Sequence, residues 1–306
     1  MKRKNMITSY IISLNNPINL INEVKSYGFK TVLIEGVRGN KLSYEEKIKE
    51  TGNQFIASTI PDSVLGCALA HIKTWKTFLS SNEPYCVIFE DDAVFEPNFK
   101  NNFDLYFKHT PSDFDIFYIG CLHNINFTDN NINQYIKIPD IFLGLHSYVI
   151  SRKGVEKLLK HIDKNIYTHI DFMIKNLNSK IIIYSTTKRL VYQTSTDNPK
   201  TSLNTSNNFP VIVDYLSSFV EIDKKLRLNY ILLCPLIEIN GYIINAIPIL
   251  FLIIGIICHR VPINILLSCF IILSLPDIFS LKNIYEFFVN GIIFLFPALY
   301  YQTMLD

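Results

Sequence analysis

The chain has 306 residues, with 29 Lys and Arg against 27 Asp and Glu and a formal net charge of +2, a balance that gives no argument for nucleic-acid binding. Six cysteines (Cys67, Cys86, Cys121, Cys234, Cys258, Cys269) show no paired metal spacing. Half of them lie in an apolar C-terminal stretch, so buried free thiols are expected rather than a disulfide or zinc framework.

Lys2, Arg3 and Lys4 precede Met6 to Leu14, a superficial likeness to a signal peptide. The apolar part is short, is broken by Thr8, Ser9 and Ser13, and lacks a small-residue cleavage site, so Ile7 to Leu14 reads as the first strand. Ile18 to Tyr27 reads as a short helix stopping at Gly28, Thr31 to Ile34 as a second strand, Gly36 and Gly39 as a turn, and Tyr44 to Glu50 as a helix. Asp62 to Leu79 places Leu65, Leu69, Ile72, Trp75, Phe78 and Leu79 at helical period. Tyr85 to Phe89, Asp115 to Ile119, Gly144 to Ile150 and Lys180 to Tyr184 read as strands. Phe99 to Phe107, Arg152 to Ile162 and Asp171 to Leu177 read as helices. Residues 123–140 are an Asn-rich loop or hairpin, and Asp197 to Asn208 a polar loop that serves as lid or linker. Strand and helix alternate as in a three-layer α/β domain.

Beyond Asn229 the only charged side chains are Glu238, Arg260, Asp277, Lys282, Glu286 and Asp306. Residues 1–228 therefore read as one soluble domain with a full core, and residues 229–306 as a second region of membrane-associated helices. Three apolar stretches, roughly 230–258, 261–281 and 284–301, predict two to three spans or a hairpin; a buried all-apolar helical subdomain is the alternative. Lys224, Lys225 and Arg227 before the first stretch place the soluble domain on the cytoplasmic side of the membrane, the inner membrane in a bacterium.

The strongest local signal is Cys86-Val-Ile-Phe-Glu-Asp-Asp-Ala-Val-Phe-Glu96. An unbroken apolar strand ends in Glu90, Asp91 and Asp92, at the sheet edge where open α/β sheets bind ligands. Adjacent carboxylates repel unless a cation sits among them, and hard oxygens at a strand tip suit Mg²⁺ or Mn²⁺ carrying a diphosphate. A solvated acidic turn is the plain alternative.

These elements together resemble glycosyltransferase family 25, the group that includes lipooligosaccharide galactosyl- and glucosyltransferases. Leu65 to His71, with Trp75, looks like the family's Gly-Cys-x-x-Ser-His helix, with Ala70 where serine is usual. Val87 to Val94 looks like its acidic strand end, Asp115 to Gly120 like a strand ending in glycine, and Gly144 to Leu159 like its tyrosine-containing strand and following helix. His169-Ile170-Asp171 falls at the site of a family aspartate, and Gln193 and Ser202 where a closing loop is expected. The likeness spans about residues 7–205.

The resemblance implies a GT-A-like (Rossmann-like, three-layer) domain, a nucleotide-sugar donor such as UDP-galactose or UDP-glucose, Mn²⁺ or Mg²⁺, and inversion during transfer of a hexose to a glycan or glycolipid such as lipooligosaccharide. Glu90 and Asp92 would then hold the cation, and Asp171 would be the catalytic base, with a helix N-cap as its other reading. Asp91, Gly36, Gly39, His71 and Ser202, with Lys200, would contact the donor. His71 equally suits a core position, Gly36 and Gly39 a plain turn, and Tyr148 and Trp75 simple packing. His169 is either a third metal ligand or exposed. A hydroxylysine galactosyltransferase is the alternative enzyme, and a catalytically inactive membrane scaffold the alternative from another class.

Overall fold

The computed structural model describes residues 6–122, 130–139, 142–194, 232, 234–239, 242–280 and 284–304. The chain divides into two compact units, 1–198 and 199–306.

In the first unit the strands are β1 (Thr8–Ser13), β2 (Lys30–Glu35), β3 (Tyr85–Glu90), β4 (Ala93–Phe95), β5 (Ile116–Leu122), β6 (Ile136–Lys137), β7 (Leu143–Ser151), β8 (Ile183–Thr186) and β9 (Val191–Gln193). The helices are α1 (Ile18–Ser26), α2 (Tyr44–Thr51), α3 (Gln54–Thr59), α4 (Asp62–Leu79), α5 (Phe99–Lys108), α6 (Arg152–Ile162) and α7 (Ile170–Lys175). Seven strands form one sheet in the order β2-β1-β3-β7-β5-β8-β6, while β4 pairs with β9 apart from it. β2, β1 and β3 run parallel, β7 runs antiparallel between β3 and β5, and β8 is parallel to β5.

Successive side chains of a strand point to opposite faces, and the apolar runs use both. Cys86 and Ile88 enter one core with Leu65, Trp75 and Phe78 of α4 and Leu158 of α6. Val87 and Phe89 enter the other with Val24 of α1 and Phe99 and Phe103 of α5. A strand covered on both faces needs no polar alternation, which explains the uninterrupted run before Glu90.

The long helix α4 sits close to the segment after β2 because two glycines allow it. A Cβ at Gly39 would lie 1.9 Å from the Asp62 carbonyl oxygen, and one at Gly66 would lie 2.4 Å from that of Val37. Gly39 is therefore accounted for by helix packing at the start of α4.

The first unit is a mixed α/β domain, with antiparallel β7 at the middle of a seven-stranded sheet. The expected fold class is corrected at its C-terminal part: the membrane region is not supported, since among the described residues no helix is both long and apolar enough to cross a membrane.

The first apolar stretch does not form one helix. Ile237–Ile239 (β10) and Tyr242–Ile244 (β11) pair antiparallel, and the Asn245 side chain accepts from the Ile247 N–H at 2.9 Å to start α8 (Ala246–Ile257). Its 12 residues span about 18 Å, against a bilayer core of about 30 Å. The helix α9 (Ile263–Ser280) holds Pro276 and Asp277 near its end, and α10 (Ile284–Thr303) includes Glu286, Asn290 and an internal Pro297. These helices pack on one another: Leu266, Phe270, Phe294 and Ala298 form a small core, and Gly255 lets α8 approach the Phe294 backbone. Ile253, Ile257, Ile292 and Phe296 are exposed. Membrane attachment through these helices is not supported.

The core around α5 is an aromatic cluster in which Phe103 lies 5.3 Å from Phe29, 5.8 Å from Phe99 and 5.5 Å from Phe107, ring centre to ring centre. Phe103→Ala is expected to lower the unfolding free energy by about 3–5 kcal/mol, the usual cost of a buried aromatic, measured by urea unfolding.

Candidate functional site

The carboxyl ends of β1 and β3 lie side by side, with Ile12 paired to Glu90. Immediately beyond, the three acids take different partners. Asp91 is exposed, and its Oδ2 accepts from Ser13 Oγ at the end of β1 at 2.6 Å. Asp92 is held by β9: its carbonyl oxygen accepts from the Thr194 N–H at 3.0 Å, and its Oδ2 from Gln193 Nε2 at 3.4 Å.

Glu90 is supported from inside the protein. His71 Nε2 lies 2.9 Å from Glu90 Oε1, His71 Nδ1 lies 2.9 Å from the Tyr148 hydroxyl, and the Trp75 indole N–H donates to the same hydroxyl at 2.9 Å. An indole can only donate and a carboxylate can only accept. Donation running from Trp75 to Tyr148 to His71 to Glu90 satisfies every member and puts the imidazole proton on Nε2. Burial opposes the charged form of Glu90, but the hydrogen bond from His71 holds this carboxyl below its ordinary value. His71 and Trp75 are thus core residues by burial, while His71 also carries the site's key contact.

Asp171 is the second residue of α7 and is 3% exposed. His169 occupies the N-cap without a side-chain cap bond, so capping does not account for Asp171. Its Oδ1 accepts from the Phe172 N–H at 2.9 Å and its Oδ2 from the Gly144 N–H at 3.0 Å. Gly144 has φ +83°, a conformation that glycine adopts without strain, and this turns its N–H toward the acid.

Two residues further on, His146 is 1% exposed. Its Nε2 lies 3.1 Å from the Val191 carbonyl oxygen; a carbonyl can only accept, so Nε2 carries the proton. Nδ1 is buried with no hydrogen-bond partner among the described residues, a condition that costs about 1–3 kcal/mol in a folded protein. Burial pushes this imidazole down to about 4, against raising contributions from Glu90 and Val191.

The acids converge. The Cys67 thiol on α4 is raised well above its ordinary value by burial and then by Glu90, Asp171 and Asp92; ligand atoms of Cys67 and Glu90 lie within 4.8 Å of each other, and Gly144, which binds Asp171, adjoins Gln193, which binds Asp92. Gly36 stands at the same sheet edge, its N–H donating to the Ser13 carbonyl oxygen at 2.7 Å. Gly39 packs against α4. His169 is buried, with its ring centre 5.6 Å from that of Phe172. Ser202, Lys200 and the loop at 197–208 lie outside the described residues. Sequence reasoning passed over His146 and the role of Gly144, although both stand in the Gly-Leu-His-Ser-Tyr run; an unexplained histidine beside that glycine was the available signal.

The donor chemistry fits a divalent cation. Glu90 and Asp92 offer carboxylate oxygens at the strand tip, the ligands that Mg²⁺ and Mn²⁺ take. Ligand atoms of Cys67, His71 and Glu90 also lie within 4.8 Å of one another, although both ring nitrogens of His71 are already engaged.

A sequence model described as glycosyltransferase family 25 (LPS biosynthesis protein) matches residues 6–174. Among curated proteins, the chain is 24% identical over 188 residues to the lipooligosaccharide biosynthesis protein lic2B of Haemophilus influenzae, covering 56% of this chain and 71% of that one.

The depressed His146 gives the domain a pH dependence of defined sign. The unfolded chain takes up this proton below about 6.5, and the folded protein resists until about 4. The stability is therefore present above about 6.5 and lost as pH falls toward 4, by about 3 kcal/mol from this residue. Urea unfolding across that range should show the decline, and His146→Gln should flatten it.

Proposed function

Because the chain belongs to glycosyltransferase family 25, we propose that it transfers a hexose, galactose or glucose, from a UDP-linked donor to a glycan acceptor such as lipooligosaccharide, with inversion at the anomeric carbon. The observation that carries this reading is the acidic carboxyl edge of the sheet, where Glu90 reaches within 4.8 Å of Cys67 and His71, and Gly144, which binds Asp171, adjoins Gln193, which binds Asp92. It puts the acids for both halves of a sugar transfer in one place.

In this reading Asp171 is the base. The N–H groups of Gly144 and Phe172 orient its carboxylate, which would take the proton of the acceptor hydroxyl as that oxygen bonds to the anomeric carbon. The bond from that carbon to the diphosphate oxygen breaks on the opposite face, and the nucleoside diphosphate leaves with the electron pair. Glu90 and Asp92 would hold Mn²⁺ or Mg²⁺, which when bound neutralises charge on the leaving diphosphate. His71 positions Glu90 from the interior, and Gln193 positions Asp92. Asp91 and Gly36, each bonded to Ser13 at the end of β1, suit the nucleotide side.

The donor is identified by a thermal-shift panel of UDP-, GDP- and CMP-sugars with and without Mn²⁺, since stabilisation follows affinity. UDP-hexose should raise the melting temperature most, and only with the cation; no shift with any nucleotide sugar overturns the reading. Asp92→Asn is expected to abolish cation-dependent transfer while leaving the ligand-free melting temperature unchanged. Asp171→Asn should lower kcat by about 10²–10⁴-fold, the usual contribution of a general base, with nucleotide binding retained. Steady-state kinetics and calorimetry on both variants check these outcomes, and undiminished turnover in either removes that residue from its role.

A further inference from the structure

We propose that Cys67, His71 and Glu90 form a binding site for a thiophilic divalent cation of the zinc class, and that an ion held there competes with the Mn²⁺ or Mg²⁺ of the transfer reaction for Glu90. The site itself follows from the placing of three side chains; only its consequence for turnover rests on the transferase reading above.

Cys67 and His71 are four residues apart on α4, so they stand on one face of the helix about one turn apart. Glu90 ends β3 and meets that face. The sulfur, a ring nitrogen and a carboxylate oxygen of these residues all lie within 4.8 Å of one another. Zinc takes nitrogen and oxygen ligands at about 2.0–2.2 Å and sulfur at about 2.3 Å, so tetrahedral ligand atoms stand roughly 3.3–3.7 Å apart. Small side-chain shifts are enough to close the three residues on an ion. The nearest pair is already joined, with His71 Nε2 and Glu90 Oε1 2.9 Å apart and a proton between them; an ion would take the place of that proton. The Glu90 side chain is 23% exposed and Cys67 is half-buried. The ion therefore has a route from solvent, and a water can complete its fourth position.

The proton balance is consistent. Ligation uses the Nε2 lone pair, so the imidazole proton moves to Nδ1 and is donated to the Tyr148 hydroxyl 2.9 Å away. That oxygen also accepts from Trp75, and a hydroxyl has two lone pairs to accept both. The imidazole stays neutral, and the thiol proton passes to solvent. His71 then has the oxygen partner on its other nitrogen that metal-bound histidines usually have.

Sulfur selects the ion. A thiolate prefers zinc, whereas Mg²⁺ and Mn²⁺ prefer oxygens such as those of Glu90 and Asp92. The two sets of ligands share Glu90, and two doubly charged ions beside one carboxylate repel each other. Zinc at Cys67 and His71 therefore weakens the hold on Mn²⁺, and the reverse.

The test replaces zinc by Co²⁺ in the full chain, because a cobalt–thiolate bond gives a near-ultraviolet charge-transfer band. Wild type should show that band on Co²⁺ addition and lose it to Zn²⁺, and calorimetry should show Zn²⁺ affinity falling as Mn²⁺ is raised. Cys67→Ser, nearly the same in shape, should keep the metal-free melting temperature and lose the band. Its Zn²⁺ affinity should fall by more than about 100-fold, beyond the usual cost of removing only an outer partner of a ligand. His71→Gln should lose the band as well. The other cysteines remain in both variants, so a band that persists in Cys67→Ser overturns the assignment, as does a wild type without one, whether or not either variant folds. In Mn²⁺-supported transfer, Zn²⁺ should inhibit wild type at concentrations about 100-fold lower than Cys67→Ser, matching the loss of affinity. Transfer that continues undiminished with zinc bound overturns the competition. Zinc binding at Cys67 in a chain that binds no nucleotide sugar upholds the site and removes the transferase reading instead.

Discussion

A carboxylate at the tip of a buried strand needs a donor from the interior, and here Glu90 has one in His71. That hydrogen bond is the point on which the site depends, because it joins the acidic edge to the core. Behind His71 stand Tyr148 from the central strand and Trp75 one helical turn along α4, each bonded to the next. In a low-dielectric interior such a chain is strong when every member is satisfied and costly when one is missing. It fixes the direction in which Glu90 presents its oxygens. It also ties the position of α4 to the geometry of the acids.

The mixed sheet supplies the rest. Because β7 runs antiparallel between β3 and β5, its beginning lies at the edge where β3 ends. Gly144 and His146 therefore lie at the edge that holds Glu90 and Asp92, although more than 50 residues separate them in sequence. A wholly parallel sheet would send the start of β7 to the opposite edge. The short pair β4–β9 closes this arrangement from the other side, bringing Gln193 to Asp92 and the Val191 carbonyl to His146.

The two glycines between the loop after β2 and α4 show how a site is built from distant packing. Gly39 and Gly66 each remove a side chain that would collide with backbone, so α4 can lie near enough to put Cys67 and His71 beside the strand tip. The nucleotide contact expected of Gly39 and its use in packing are answers to the same local fact, the absence of a Cβ. Only the neighbouring backbone distinguishes them.

The apolar run before Glu90, the helix at 62–79 and the acid triplet were legible in sequence, because strand burial, helical period and clustered charge are local properties of neighbouring residues. The start of a helix at Asp171 was legible as well. His146 was not, since its proton is set by Val191, 45 residues away, and no pattern of spacing encodes such a partner. The apolar C-terminus was misread for a related reason. Hydropathy counts side chains, whereas the length of a helix is set by where it is interrupted, and here β10, β11 and the Asn245 cap shorten the first stretch to 12 helical residues. The sequence by itself determined which segments are apolar, which are helical and where acids cluster, because those follow from each residue and its near neighbours. The tertiary structure alone decided which acid has a donor, which histidine keeps a lone pair and which apolar helices pack on one another, because those depend on groups that meet only when the chain is folded.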